Sequence, residues 1–471
     1  MKIPLVGPAY TLRAIQLDCQ RSVNLFPETE LPTSKEVQAL QPTPGLTVFS
    51  TVAQVICRGL WEAQGRCFGV YGSQLYEFSA SGTSTAWGTI AGTGPVGMVD
   101  DGTNLVITAG ISAGYYFTLA TNVLTQYTAS LYNGCAVPDY LDGFIIFNQP
   151  NSQTFYLTNP GDATTINPLY TAAKEGFSDI LQRCMVFNRT LMLLGLETCE
   201  FWYDAGNSDF PLQLITGSFL EGGCASPFAV CKVGQVVIWL GNDRRGPGVV
   251  YAFNGVTPQR ISTHAVEEAI QSYGPLENAT AYTYQQDGHV FYCLNIPGAN
   301  TTWCYDLASN MWHERVYFLN GQEQRHLGQF ACNCFGQILI GDYQSGNLYT
   351  LDRYNYTDNG NPIERLRTFP YVHDEQKRIF FHFLQVDMLT GVGTSTGQGE
   401  FPTLMLSWSN DGGYTFSSEA VSTPGAIGQY KARARWRRLG QSRDRVFKLR
   451  ITDPVQVVLI AGLIDVMEGE N

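Results

Sequence analysis

The 471 residues are 44% hydrophobic and 13% aromatic, with only 15% charged, against about 25% charged in an average globular protein. That composition excludes a disordered chain, and 48 Gly with 22 Pro scattered between short apolar runs exclude collagen, coiled coil and helical bundle. The formal net charge of -12 speaks against general nucleic-acid binding, because phosphate contacts need a basic face.

Charge is unevenly placed. Between Lys431 and Arg450 nine basic residues face one acid, a net of +8, so the rest of the chain carries -20. No run of about 18 apolar residues occurs, and Met1-Lys2-Ile3-Pro4 lacks a signal-peptide core, so a cytoplasm-like compartment is expected. The twelve cysteines contain no Cys-x-x-Cys pair and read as reduced core residues, with no metal or other cofactor expected.

In chain order, residues 1–54 come first. Prolines at 4, 8, 27, 32, 42 and 44 interrupt every apolar run, which predicts an extended arm lying on something else. Residues 55–360 then repeat one pattern: an apolar run, a polar or Gly break, and an aromatic-rich triplet. Runs start near Phe68, Leu105, Phe144, Leu191, Val236, Val290 and Ile338. Their spacing matches the roughly 40–50 residues of a four-stranded propeller blade, so an all-β propeller of about seven blades is predicted, with one or two β-sandwiches as the alternative. The arm or the segment after the repeat is available to complete a blade. Thr263 followed by Val266 and Ile270 predicts a short helical insert near 263–272.

Residues 361–471 leave the repeat and predict a C-terminal β-sandwich. Within it Ala434 and Trp436 alternate with Arg433, Arg435 and Arg437, while Phe447 and Leu449 alternate with Lys448 and Arg450. A hairpin closed by Gly440–Asp444 would put all five cations in one basic stripe. Such a stripe is a partner-binding candidate. Three readings stand beside one another: a solvated strand face, a docking surface for an acidic partner or neighbouring copy, and direct nucleic-acid contact.

Two motifs known from enzymes are matched, one of them structural and the other without its context. Ser409-Asn410-Asp411-Gly412-Gly413-Tyr414-Thr415-Phe416 fits the Asp-box pattern, whose chemistry is turn formation. Gly393-Thr394-Ser395-Thr396-Gly397 fits a nucleophile elbow, but no helical pattern follows it. The six histidines have no metal-site spacing, so no catalytic residue is assigned and no enzyme is expected.

Three passages resemble the tail nozzle or tail hub proteins of short-tailed phages, also called packaged-DNA stabilisation proteins. They are residues 261–273, the stretch from Ser409 to Val455, and Ser22–Pro27 with Pro44-Gly45-Leu46 in the arm. The resemblance implies a virion tail protein assembled in the host cytoplasm as a hexameric ring below the portal and its adaptor. It also implies a ring that continues the DNA exit channel, helps retain packaged DNA, and carries a needle or tip with spikes or fibres nearby. Duplex DNA would pass without sequence-specific binding. The alternatives are a carbohydrate- or receptor-binding propeller, or a sialidase-like hydrolase.

Overall fold

The computed structural model describes residues 2–111, 113–243 and 246–469. Its propeller follows directly from the repeat. In each unit the apolar run is the second strand and the aromatic triplet lies in the third, as in Arg66–Tyr71 paired with Gln74–Phe78, and Asn104–Ala109 paired with Ala113–Thr118. This central hairpin is covered on both faces by the neighbouring blades, which is why its residues are continuously apolar: Phe68, Val70, Leu105, Ile107, Ile146, Leu193 and Ile238 are all fully buried.

Six blades are built from consecutive strands, spanning residues 57–89, 97–126, 139–173, 181–221, 223–260 and 280–319. The seventh run-plus-triplet unit is different. Its strands Gly328–Cys334, Gln337–Asp342 and Asn347–Asp352 take their fourth partner, Gly45–Thr51, from the arm. The count of about seven like units is therefore corrected to six self-contained blades and one composite sheet that closes the ring. Gly45 must be glycine there, because a Cβ would lie 2.4 Å from the Thr357 carbonyl and 2.6 Å from that of Asn355. Deleting residues 1–54 leaves Asn347–Asp352 as a bare edge of an open ring, so that variant should elute as aggregate on size-exclusion chromatography; a soluble monomer of unchanged circular dichroism would show the strand to be dispensable.

The predicted insert is the helix His264–Ser272, capped by Thr263, whose hydroxyl accepts the Val266 N–H at 3.4 Å. Val266 and Ile270 are fully buried among Ile238, Leu240 and Val250 of the fifth blade, so the helix seals one side of it.

The remaining strands make two facing sheets. One runs in the order Ala434–Arg437, Ile379–Met388, Leu459–Glu468, Gln38–Pro42 and Leu25–Thr29. The other contains Arg365–Thr368, Asp444–Ile451, Leu404–Ser409 and Ala420–Ser422. Leu384, Trp436, Phe447, Leu449 and Leu459 fill the space between them. Three arm segments belong to this unit, Lys2–Ile3 along Leu459–Glu468 as well as the two just named, and Ser22–Val23 does more. Val23 pairs with Glu314 of the sixth blade on one side and Leu366 of the sandwich on the other, making one continuous sheet from propeller to sandwich. The arm is thus a structural part of both units.

Candidate interaction surface

The predicted hairpin does not form. Ala434–Arg437 pairs with Ile379–Met388 in one sheet, whereas Asp444–Ile451 pairs with Arg365–Thr368 and Leu404–Ser409 in the other. The alternation itself is as expected, with Ala434, Trp436, Phe447, Leu449 and Ile451 buried. Both strands carry an apolar row, and facing sheets bury the two rows against each other, which a single hairpin cannot do. Arg438 and Gly440, both at positive φ, turn the chain from one sheet to the other. The single basic stripe is therefore corrected to two separate groups of cations.

Lys448 and Arg450 face the arm and the propeller, not open solvent. Arg450 is ion-paired to Glu364 at 2.7 Å and to Glu419 at 3.0 Å, and the Lys448 ammonium sits 3.9 Å from the Phe416 ring centre. Arg21 from the arm adds Glu314 at 2.7 Å and Glu323 at 3.0 Å. Together they line a cavity of about 360 Å³ between arm, propeller and sandwich. Burial holds the Glu364 carboxyl above and the Lys448 ammonium below their ordinary values, while carboxylate neighbours raise Arg450 despite its burial. Carboxylates of the same chain pair with Arg21 and Arg450, and Lys448 rests on the Phe416 ring.

Arg433, Arg435 and Arg437 lie on the outer face of the other sheet. The register sets two cross-strand rows there, Arg435–Gln385–Leu463 and Arg437–Phe383–Asp465. Arg435 donates through Nε to the Gln385 amide oxygen at 2.9 Å and stacks 4.5 Å from the centre of Phe383. Arg433 and Arg437 are exposed, and among the described residues no carboxylate pairs with either. A groove of about 750 Å³ runs along this face, with Lys35, Tyr430, Lys431 and Leu463 contributing beside Arg433 and Arg435. Tyr430, Leu463 and Met467 were not singled out from sequence; outward alternation of Leu463, Asp465 and Met467 along the last strand is the signal that marks them.

The other motifs resolve as turns and core. The Asp411 carboxylate accepts hydrogen bonds from the Ser409 hydroxyl at 2.6 Å and from the N–H groups of Tyr414 and Thr415 at 3.1 and 3.0 Å, which holds its pKa down at about 2. Gly413 of that loop packs on Ile15 and Cys19 of the arm. Ser395 is exposed in a loop with no helix after it. All twelve cysteines are free thiols, and burial pushes Cys57, Cys135 and Cys224 up to about 12, where they are unreactive. Among the described residues no three His, Cys, Asp or Glu side chains converge as metal ligands, and no helix is long and apolar enough to cross a membrane.

The order of parts, from arm and propeller to sandwich, is matched by two family descriptions. The family described as bacteriophage P22 Gp10, beta-propeller, covers residues 1–356. The one described as bacteriophage P22 Gp10, beta-sandwich, covers residues 364–467. The chain belongs to the P22 Gp10 family. It is an all-β tail nozzle or stabilisation protein of a phage virion. That the propeller match begins at residue 1 agrees with the arm's strand in the closing sheet. No curated protein sequence matches. Among solved structures the chain is similar to the WD40 beta propeller domain of Doa1, at 13% identity and a TM-score of 0.41, covering 65% of this chain and 96% of that one. It is also similar to the computationally designed Ika8 protein, at 11% identity and a TM-score of 0.38, covering 65% and 99%.

Proposed function

We propose that this Gp10-family chain assembles as a homohexameric ring beneath the portal and adaptor, continues the DNA exit channel, helps retain packaged DNA, and carries the needle or tip and spikes or fibres. In this reading it is made in the host cytoplasm and has no catalytic role. The observation that carries it is the family match over both units of a chain whose arm ties them into one body.

The size of the propeller's own axis supports a channel between copies. The cavity framed by the innermost blade strands is about 510 Å³ and is lined by groups such as Leu60, Met98, Arg183, Val230 and Phe330. That volume suits a small molecule and is far too small for a double helix. The net charge of -12 suits a wall along which DNA slides, since few phosphates would be neutralised and few counterions released. As working segments we propose 1–54 for the arm, 55–360 for the propeller and 361–471 for the sandwich.

The test is mass. The purified protein, alone and after mixing with portal–adaptor rings, should give a complex holding six copies by native mass spectrometry. A chain that stays monomeric and unbound in the mixture would overturn the proposal.

A further inference from the structure

We infer that the basic groove of the sandwich and the outer rim of the third and fourth blades are two halves of one contact, in which the groove of one copy receives the rim of the next. This rests on the ring reading above and adds to it the surfaces that join the copies.

The rim has the complementary chemistry. Residues 139–221, which make these two blades, hold ten carboxylates and three cations, a net of -7, with Asp179 and Glu200 buried among the carboxylates. Of those cations Lys174 is buried, Arg183 is half-buried, and the exposed Arg189 is ion-paired to Asp142 at 3.0 Å. Glu175, Asp209 and Glu221 are exposed along the rim. Between them lie exposed apolar side chains, Leu169 at 81%, Phe219 at 41% and Tyr203 at 40%. The edge strand Asp162–Ala173 has no charged residue after Asp162 and Leu212–Glu221 has none before Glu221, although solvent-facing edges are ordinarily guarded by charge.

The groove mirrors this composition. Lys431, Arg433 and Arg435 line it with Tyr430 and Leu463, and Arg437 and Met467 lie farther along the same face. Its carboxylates are Asp387, which is ion-paired to Lys35, and Asp465, so the face is net basic around exposed apolar side chains. Their placement also fits. The sandwich joins the ring at the sixth blade and the closing sheet, through Ser22–Val23 and the residues after Asp352. In a ring of six blades and a closing sheet, the third and fourth blades lie across from that attachment. The groove, on the sandwich, and the rim, on these blades, are therefore two separate surfaces of the subunit. A basic face meeting an acidic one is a heterologous contact, the kind that closes into a ring when repeated.

The experiment uses two full-length variants and native mass spectrometry with sedimentation at low and high salt. One carries Arg433→Glu and Arg437→Glu; the other carries Glu175→Lys, Asp209→Lys and Glu221→Lys. All five positions are exposed, so thermal unfolding of each monomer should match the unaltered chain. Each variant alone should self-associate at least tenfold more weakly, most visibly at low salt. An equimolar mixture should assemble again, with the two variants alternating, because each groove then meets a rim of opposite charge. If the unaltered chain assembles while the variants do so equally well alone, or fail to assemble when mixed, this pairing of surfaces is wrong and the ring stands. If the unaltered chain does not assemble at all, the ring reading falls and this inference with it.

Discussion

Replacing Arg367 with methionine should destabilise the protein by on the order of 4 kcal/mol and free the first twenty residues for proteolysis. The guanidinium is fully buried and bonds only to arm acceptors: the Leu5 carbonyl at 2.7 Å, the Pro8 carbonyl at 3.0 Å, the Arg21 carbonyl at 3.3 Å and the Gln20 amide oxygen at 2.6 Å. No carboxylate hydrogen-bonds to it, and burial lowers its pKa to about 10. Exchanging a whole buried ion pair for apolar groups can be neutral, but here the acceptors stay behind unsatisfied in a dry site, so loss dominates. Lysine should restore only part, since it cannot reach acceptors on both sides of the fork. Urea unfolding together with limited proteolysis checks this. A shift under about 1 kcal/mol with an uncut arm would mean that strand pairing alone holds residues 1–24.

His313→Leu should make the protein markedly more resistant to acid. The His313 ring is fully buried beside Phe26 and Phe291, neither nitrogen has a hydrogen-bond partner, and burial with the nearby Arg315 cation pushes its pKa down from 6.5 to about 3. Between those values the unfolded chain binds a proton that the folded chain refuses. Stability therefore falls as pH drops from about 6.5 toward 3, by about 3 kcal/mol at pH 4 from this residue. His326, buried and also lowered, acts in the same direction. His289, raised by its bond to Asp306, adds stability as pH falls. Asp358, pushed up to about 6 by burial, also opposes the loss, because its burial penalty disappears as pH falls from 6 toward 4. The urea midpoint from pH 8 to pH 4 should thus decline less steeply in His313→Leu than in the unaltered chain. Equal slopes would place the acid sensitivity elsewhere.

The central hairpins of the blades were legible because they are buried on both faces, so Phe68-Gly69-Val70 or Leu191-Met192-Leu193 can only be apolar. The helix after Thr263 was legible for a related reason, since capping and the Val266–Ile270 spacing are local. Outer strands such as Ser84–Thr89 and Val123–Gln126 are largely exposed and carry no comparable pattern. The inward or outward sense of Arg433, Arg435 and Arg437 followed from alternation, but their separation from Lys448 and Arg450 did not, because alternation is blind to which sheet a strand joins.

By itself the sequence determined the all-β class, the repeat, the helical insert and the order of parts, since each is written in nearest-neighbour periodicity along the chain. Only the tertiary structure decided that the arm closes the propeller through Gly45–Thr51, that Ser22–Val23 joins propeller to sandwich, and which cations remain unmatched. Those outcomes depend on partners about 300 residues away, such as Val23 with Glu314 and Leu366 or Leu46 with Leu351. Pairing over such separations is selected by the closure of sheet edges and the burial of backbone groups, which leave no periodic mark on the residues that satisfy them.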